Sequence, residues 1–243
     1  MSLWNQNRIQ SNDGFVQNLL AGGSEIYGVV LNDKTSLGKL GEELVQAPYK
    51  AEPKAPAMYI KPRNTIAGNG AEITLPTGEN SVEVGAVLGL IIGKSASRVT
   101  EQTAMDHIAA FVAVADLSLP HDSYYRPAIY EKCFDGACPL GEPVAADTIA
   151  HVHKLEITTT INGQQVAHRN LSDLHRSIPQ LISDVSEFMT LSPGDILLTG
   201  VMYQAPQAKP GDTVQVKIDQ VGTVEFSIST PSGARICNTV ESI

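Results

Sequence analysis

Four cationic side chains have a setting suited to recognising a small carboxylate. Lys61 and Arg63 lie two residues apart in Tyr59-Ile60-Lys61-Pro62-Arg63. Arg126 follows Tyr125, a pair that could orient a substrate, although Arg-Pro at 126–127 is also a common exit from a helix or turn. Lys132 opens a Lys-x-x-Asp-Gly-x-x-Pro-x-Gly string over residues 132–141. An ammonium there can neutralise a substrate carboxylate or a developing enolate. The plain alternative for Lys61, Arg63 and Lys132 is a solvated surface position. Among the acids, Asp116 ends the apolar run Phe111–Ala115. Taken alone, such a residue is usually a cap or a hydrogen-bond acceptor. His151 and His153 alternate at strand spacing. With no third ligand nearby they read as strand-face residues rather than a metal site. Asp135-Gly136 reads as a turn. Cys133, Cys138 and Cys237 form an odd set without a second close pair. They give neither a disulfide framework nor a convincing zinc site, so small buried roles are expected.

The 243-residue length, 42% apolar content and 18% charged content suit a globular protein with a full core. A formal charge of -9 argues against broad electrostatic binding to nucleic acid or an anionic membrane. It leaves room for a local cationic pocket. No run of 18 apolar residues and no basic-then-apolar leader is present in the sequence, so a cytoplasmic location is expected.

The elements that must position these residues are mostly short strands. Residues 1 to about 24 read as a loose arm with one short helix near Phe15–Leu20. Ile26–Leu31 and Met58–Ile60 read as strands, and Lys39–Val45 as a short helix. Gly85–Ile92 is almost continuously apolar, as in a strand buried on both faces. A helix is expected from Thr100, because Ala104, Ile108, Phe111 and Val112 recur at helical spacing. Asn162-Gly163 supplies a hairpin turn between Leu155–Ile161 and Gln164–Ala167. Ile178–Met189 is an amphipathic helix capped by Ser177. Pro193-Gly194-Asp195 and Pro210-Gly211-Asp212 each introduce a strand, and a further hairpin is centred on Gly222. There is no regular βαβ alternation. The expected class is α+β, mainly β: a mixed β roll or sandwich with a few peripheral helices. Residues 1–55 are expected to form an arm and small cap region, and 56–243 the catalytic-type domain.

Several strings go further. Tyr59–Thr65, Leu88–Lys94 running into Ala104–Ala109, Tyr125-Arg126-Pro127, the 132–141 string and Ser186–Asp195 resemble, in order, motifs of the fumarylacetoacetate hydrolase superfamily. The resemblance runs from about Ile26 to Ile228. Tyr124–Ile129 together with Lys132–Pro139 is most similar to the branch that decarboxylates and isomerises intermediates of 4-hydroxyphenylacetate degradation. It implies catalysis by Lys132, with Lys61, Arg63, Tyr125, Arg126 and Thr199 binding an unsaturated 2-oxo dicarboxylate. It also implies Mg2+ or another divalent cation, which would stabilise the enolate that this chemistry builds.

The same resemblance exposes departures. The family holds its cation with Glu-x-Glu and an Asp. The Asp matches Asp116, but the two Glu positions fall on Gly85 and Val87. Glu83 shares the strand face about 6–7 Å further along and is a weak substitute. Ser36 and Lys39 stand where many members carry a His and a Glu. Thr199-Gly200-Val201 stands where the family usually continues with Thr-Pro. An incomplete metal site is therefore expected. The leading reading is a decarboxylase/isomerase subunit, assembled as a homo-oligomer or with a homologous subunit. The alternatives are a non-catalytic paralogue paired with a metal-binding subunit, a metal-independent isomerase using Lys132, and a C–C hydrolase.

Overall fold

A computed structural model describes residues 12–47, 50–51, 53–121 and 127–231. Helix α1 (Asn12–Gly22) leads into β1 (Ile26–Val30), α2 (Lys34–Leu40) and β2 (Ala57–Lys61). Short strands β3 (Ile66–Ala67) and β4 (Ala71–Thr74) precede the two longest, β5 (Val82–Ile92) and β6 (Ile108–Ser118), with α3 (Glu101–Ala104) between them. Then come α4 (Ile129–Lys132), β7 (Cys138–Pro139) and β8 (Val144–Ala145). The hairpin β9 (Glu156–Ile161) and β10 (Gln164–Asn170) is followed by α5 (Ile178–Phe188) and β11 (Ile196–Leu198). The last strands are β12 (Gln207–Ala208), β13 (Thr213–Ile218) and β14 (Gly222–Ser229).

A seven-stranded sheet has the order β2-β1-β11-β5-β6-β8, with β12 also paired to β5. A five-stranded sheet has the order β10-β9-β13-β14-β4. Alternation along β5 and β6 splits their apolar residues between two cores. Leu88, Leu90, Phe111 and Leu117 join Val214, Val216 and Phe226 of the smaller sheet, and Leu181 and Val185 of α5. Val87, Ile91, Val112 and Val114 face the other way, under Phe15 and Leu19 of α1. Each fully buried Leu or Ile here contributes roughly 1.5–3 kcal/mol. The fold is thus mainly β, with helices at its periphery, as the sequence pattern indicated.

The Asn-Gly hairpin forms as expected, with φ +51° at Asn162 and +77° at Gly163. Ser177 Oγ accepts from Gln180 N and caps α5. In both Pro-Gly-Asp turns the Asp side chain closes the turn. Asp195 accepts from Ser192 N at 2.7 Å, and Asp212 from Lys209 N at 2.7 Å.

Five expectations need correction. The helix from Thr100 stops after one turn at Ala104, and Ile108 onward is strand β6. Helical spacing could be picked out there only because Ile108–Leu117 is nearly all apolar. Pairing with β5, from Glu83↔Ser118 to Ile92↔Ile108, decides the conformation. His151 precedes and His153 lies within a 3-10 turn (Val152–Lys154), not a strand, with ring centroids 6.0 Å apart. The arm is not loose after residue 12, because α1 anchors Phe15 and Leu19 in the core. The second helix also begins earlier, at Lys34, where Asp33 accepts from Ser36 N. Because β1 lies between β2 and β11, residues 26–30 belong to the main sheet.

Candidate active site

Asp116 lies near the end of β6, opposite Gly85 of β5. Residues 85, 87 and 116 therefore share one sheet face, toward which β2 also contributes. Tyr59 and Lys61 are two apart on β2, so they project to the same side. Gly28 makes room for this. It pairs with Tyr59 across the strands, and a Cβ at Gly28 would overlap the Tyr59 ring. Helix α4 carries Lys132. Leu119 N donates to Glu131 O at 2.8 Å, tying α4 to the end of β6. Asn64 Nδ2 donates to Cys133 O and Asp135 Oδ1, both at 2.8 Å, fixing the following turn.

These elements converge on one buried carboxylate. Lys61 Nζ is 2.8 Å from Asp116 Oδ1, and Lys132 Nζ is 3.1 Å from Oδ2. The Tyr59 hydroxyl donates to Oδ2. Lys61, Lys132 and Asp116 are 1%, 3% and 1% exposed, so these charges interact away from bulk water. Burial alone raises the Asp116 carboxyl, but the adjacent Lys132 and Lys61 outweigh it and hold it at about 2. Burial lowers the Lys132 ammonium, with Asp116 opposing that effect.

The two lysines do different work. Lys61 Nζ also donates to Leu117 O at 2.9 Å and to Lys132 O at 2.7 Å. Lys61 thus spends two N–H donors on backbone carbonyls and meets Asp116 Oδ1 as an ion pair. Lys132 Nζ has Asp116 as its oxygen partner and sits 4.5 Å from the Tyr59 ring centroid, in cation–π range. Lys132 and Tyr59, but not Lys61, line a cavity of about 420 Å³ together with Met58, His121, Ile129 and Cys133. A neighbouring cleft shares His121 and contains Glu83, whose carboxyl is raised by burial against the opposing influence of His121 and Lys132.

Other expected site residues fall elsewhere. Thr199 is fully buried beyond β11, with Oγ1 unpartnered among the described residues, and does not line this cavity. The Arg63 guanidinium donates to Leu20 O and is exposed. Tyr125 and Arg126 lie outside the described residues. Tyr59 and His121 were not singled out from the sequence. The period-2 spacing of Tyr59 and Lys61 on a strand was the available signal for the first.

The chain belongs to the fumarylacetoacetate hydrolase family: the family's C-terminal domain model matches residues 25–229. Among characterised relatives it is 46% identical, over 191 residues, to the homoprotocatechuate catabolism bifunctional isomerase/decarboxylase of Escherichia coli. That match covers 79% of this chain and 44% of the relative, so the chain spans less than half that relative's length. Among solved structures it is similar to a 5-carboxymethyl-2-hydroxymuconate delta-isomerase from Mycobacterium smegmatis. The TM-score is 0.74 at 26% identity, covering 86% of this chain and 80% of that one. A fumarylpyruvate hydrolase from Pseudomonas aeruginosa, solved with Mn2+ and pyruvate, shares the fold at a TM-score of 0.75 and 20% identity, over 85% and 90% of the two chains.

Divalent cations thus occur in the family, but the residues present here do not fit one. Among the described residues no three His, Cys, Asp or Glu side chains converge. Both Asp116 oxygens already face ammonium groups. A Cβ at Gly85 would stand 2.7 Å from Asp116 O and 2.7 Å from Val201 Cγ1, so that position leaves no space for a carboxylate side chain.

Proposed function

We propose that this chain is a unit of a decarboxylase/isomerase acting on unsaturated 2-oxo dicarboxylates of 4-hydroxyphenylacetate catabolism, on 5-oxopent-3-ene-1,2,5-tricarboxylate and then 2-hydroxyhepta-2,4-diene-1,7-dioate. One observation carries this reading: the buried Lys132 ammonium lines a substrate-sized cavity and has, among the described residues, Asp116 as its one oxygen partner. Losing CO2 from such a substrate, or moving a proton along its dienol, builds negative charge on the 2-oxo oxygen. A fixed cation in a largely apolar cavity stabilises that charge without reorganising. Tyr59, beside Lys132, is a hydroxyl within the same cavity. Its similarity to the bifunctional Escherichia coli protein supports the substrate class.

The test is CO2 release and dienol isomerisation by the purified chain, with and without a homologous subunit carrying Glu-x-Glu. Lys132→Ala is expected to lower kcat/KM at least about a hundredfold, the scale of losing one preorganised charge. Unchanged turnover in that variant would sink the proposal. A second reading, a non-catalytic paralogue that supports a metal-binding homologue, is favoured by Gly85 and Val87 at the ligand positions. It predicts turnover only in the mixture, insensitive to Lys132→Ala. A hydrolase reading lacks its water-activating pair: Ser36 Oγ donates to Asp33 Oδ1 at 2.6 Å and accepts from Tyr203 N at 2.8 Å.

A further inference from the structure

We infer that this site works on a 2-oxo acid without a divalent cation: Lys61 is the permanent counter-ion of Asp116, and Lys132 binds one carboxylate or enolate of a 2-oxo acid directly. The inference deepens the functional reading above and is tested by binding rather than turnover, so the two can fail separately.

The first support is the oxygen cage. Asp116 Oδ1, Leu117 O and Lys132 O surround one point at 2.7–2.9 Å, and the point is filled by Lys61 Nζ. A carboxylate and two carbonyls are hard oxygen donors of the kind that hold cations. Here the cation is covalently attached, buried and absent from the cavity wall, which makes Lys61 a positioning residue. It fixes the carboxylate from one side and the α4 backbone, through Lys132 O, from the other.

The second support is charge. In direct contact, two ammonium groups and one carboxylate sum to +1, while Glu83 acts on Lys132 from beyond 4 Å. A buried net charge is costly unless something neutralises it. Among the described residues Lys132 Nζ has Asp116 as its one oxygen partner, and it lines the cavity, so an anionic group delivered there meets a buried cation. The mainly apolar remainder of the wall, including Met58, Pro127 and Ile129, suits the carbon chain of an oxo acid.

Pyruvate is the probe, as the simplest 2-oxo acid. Calorimetric titration of the full chain in EDTA is expected to show 1:1 pyruvate binding, with Kd changed less than about twofold when Mn2+ replaces EDTA. The spin-resonance signal of free Mn2+ should be undiminished by the protein. Lys132→Met should weaken pyruvate roughly tenfold or more, the scale of a lost hydrogen bond to a charged group. Lys61→Ala should weaken it comparably, and propylammonium, the fragment removed, should restore it; a purely structural loss would not be rescued. Micromolar Mn2+ binding, pyruvate binding that requires Mn2+, no pyruvate binding in EDTA, or wild-type affinity in Lys132→Met would each overturn the inference. If Lys61→Ala does not fold, the wild-type and Lys132→Met measurements still decide it. Metal-free pyruvate binding by a chain with no turnover would leave this inference standing and remove the proposed reaction.

Discussion

Replacing Asp116 with Asn tests the electrostatics of the site at its centre. The change keeps the side-chain shape and removes the one negative charge between two buried ammonium groups. The amide also turns an acceptor into a donor, so its NH2 must face either Lys61 or Lys132. The folded carboxyl titrates at about 2 against an ordinary 3.8. At about 1.4 kcal/mol per pH unit, ionised Asp116 stabilises the fold by roughly 2–3 kcal/mol. Leaving a buried partner unpaired costs more, about 3–5 kcal/mol. Urea unfolding at pH 7 should therefore show Asp116→Asn less stable by about 3–5 kcal/mol. The sign with pH follows from a depressed carboxyl: its stabilisation is present above pH 4 and is lost as pH falls toward 2. The gap between wild type and variant should shrink by about 2 kcal/mol across that interval. A variant within about 1 kcal/mol of wild type at pH 7, or a gap that does not narrow with acid, would refute the ion-pair account.

Gly85→Ala should destabilise by about 1–3 kcal/mol in the same assay, because its Cβ meets the Asp116 backbone and Val201 rather than a flexible tip. Gly163→Ala should cost about 1 kcal/mol, since φ is +77° in the hairpin turn. Cysteine alkylation followed by peptide mass mapping at pH 8 should label Cys133, partly exposed at the cavity wall, well before Cys138. Burial raises both thiols, Cys138 to about 12. Equal labelling would contradict the packing of β7.

Most of the fold was legible because its signals are local. Asn162-Gly163, Ser177 and the two Pro-Gly-Asp turns each act through their own backbone, and the structure shows all four at work. Ile108–Leu117 was misjudged because a nearly all-apolar run carries no period. Only its ten-position register with β5 distinguishes strand from helix, and that register is a long-range property. The site was legible in part for the same reason. Asp116 and Lys132 could be named from their strings. Yet Lys61 reads as a surface cation beside Arg63, and only the folding of β2 against β6 and α4 turns it into a buried one.

That burial changes what the departures at 85 and 87 mean. Taken residue by residue, Gly85 and Val87 look like losses from a metal site. Counted with their surroundings, they conserve charge. A site with Glu-x-Glu, the Asp and both lysines would carry three negative and two positive charges, a net of -1, which a divalent cation brings to +1. The present site reaches +1 with Asp116, Lys61 and Lys132 alone. Adding carboxylates back should therefore not restore a metal centre by itself. Gly85→Glu would have to displace Val201. Installing Glu at 85 and 87 is expected to bind Mn2+ only when Val201 is also replaced by Gly, which clears side-chain space beside position 85. Micromolar Mn2+ binding in the double substitution that retains Val201 would show that crowding at Gly85 is not what keeps a cation out.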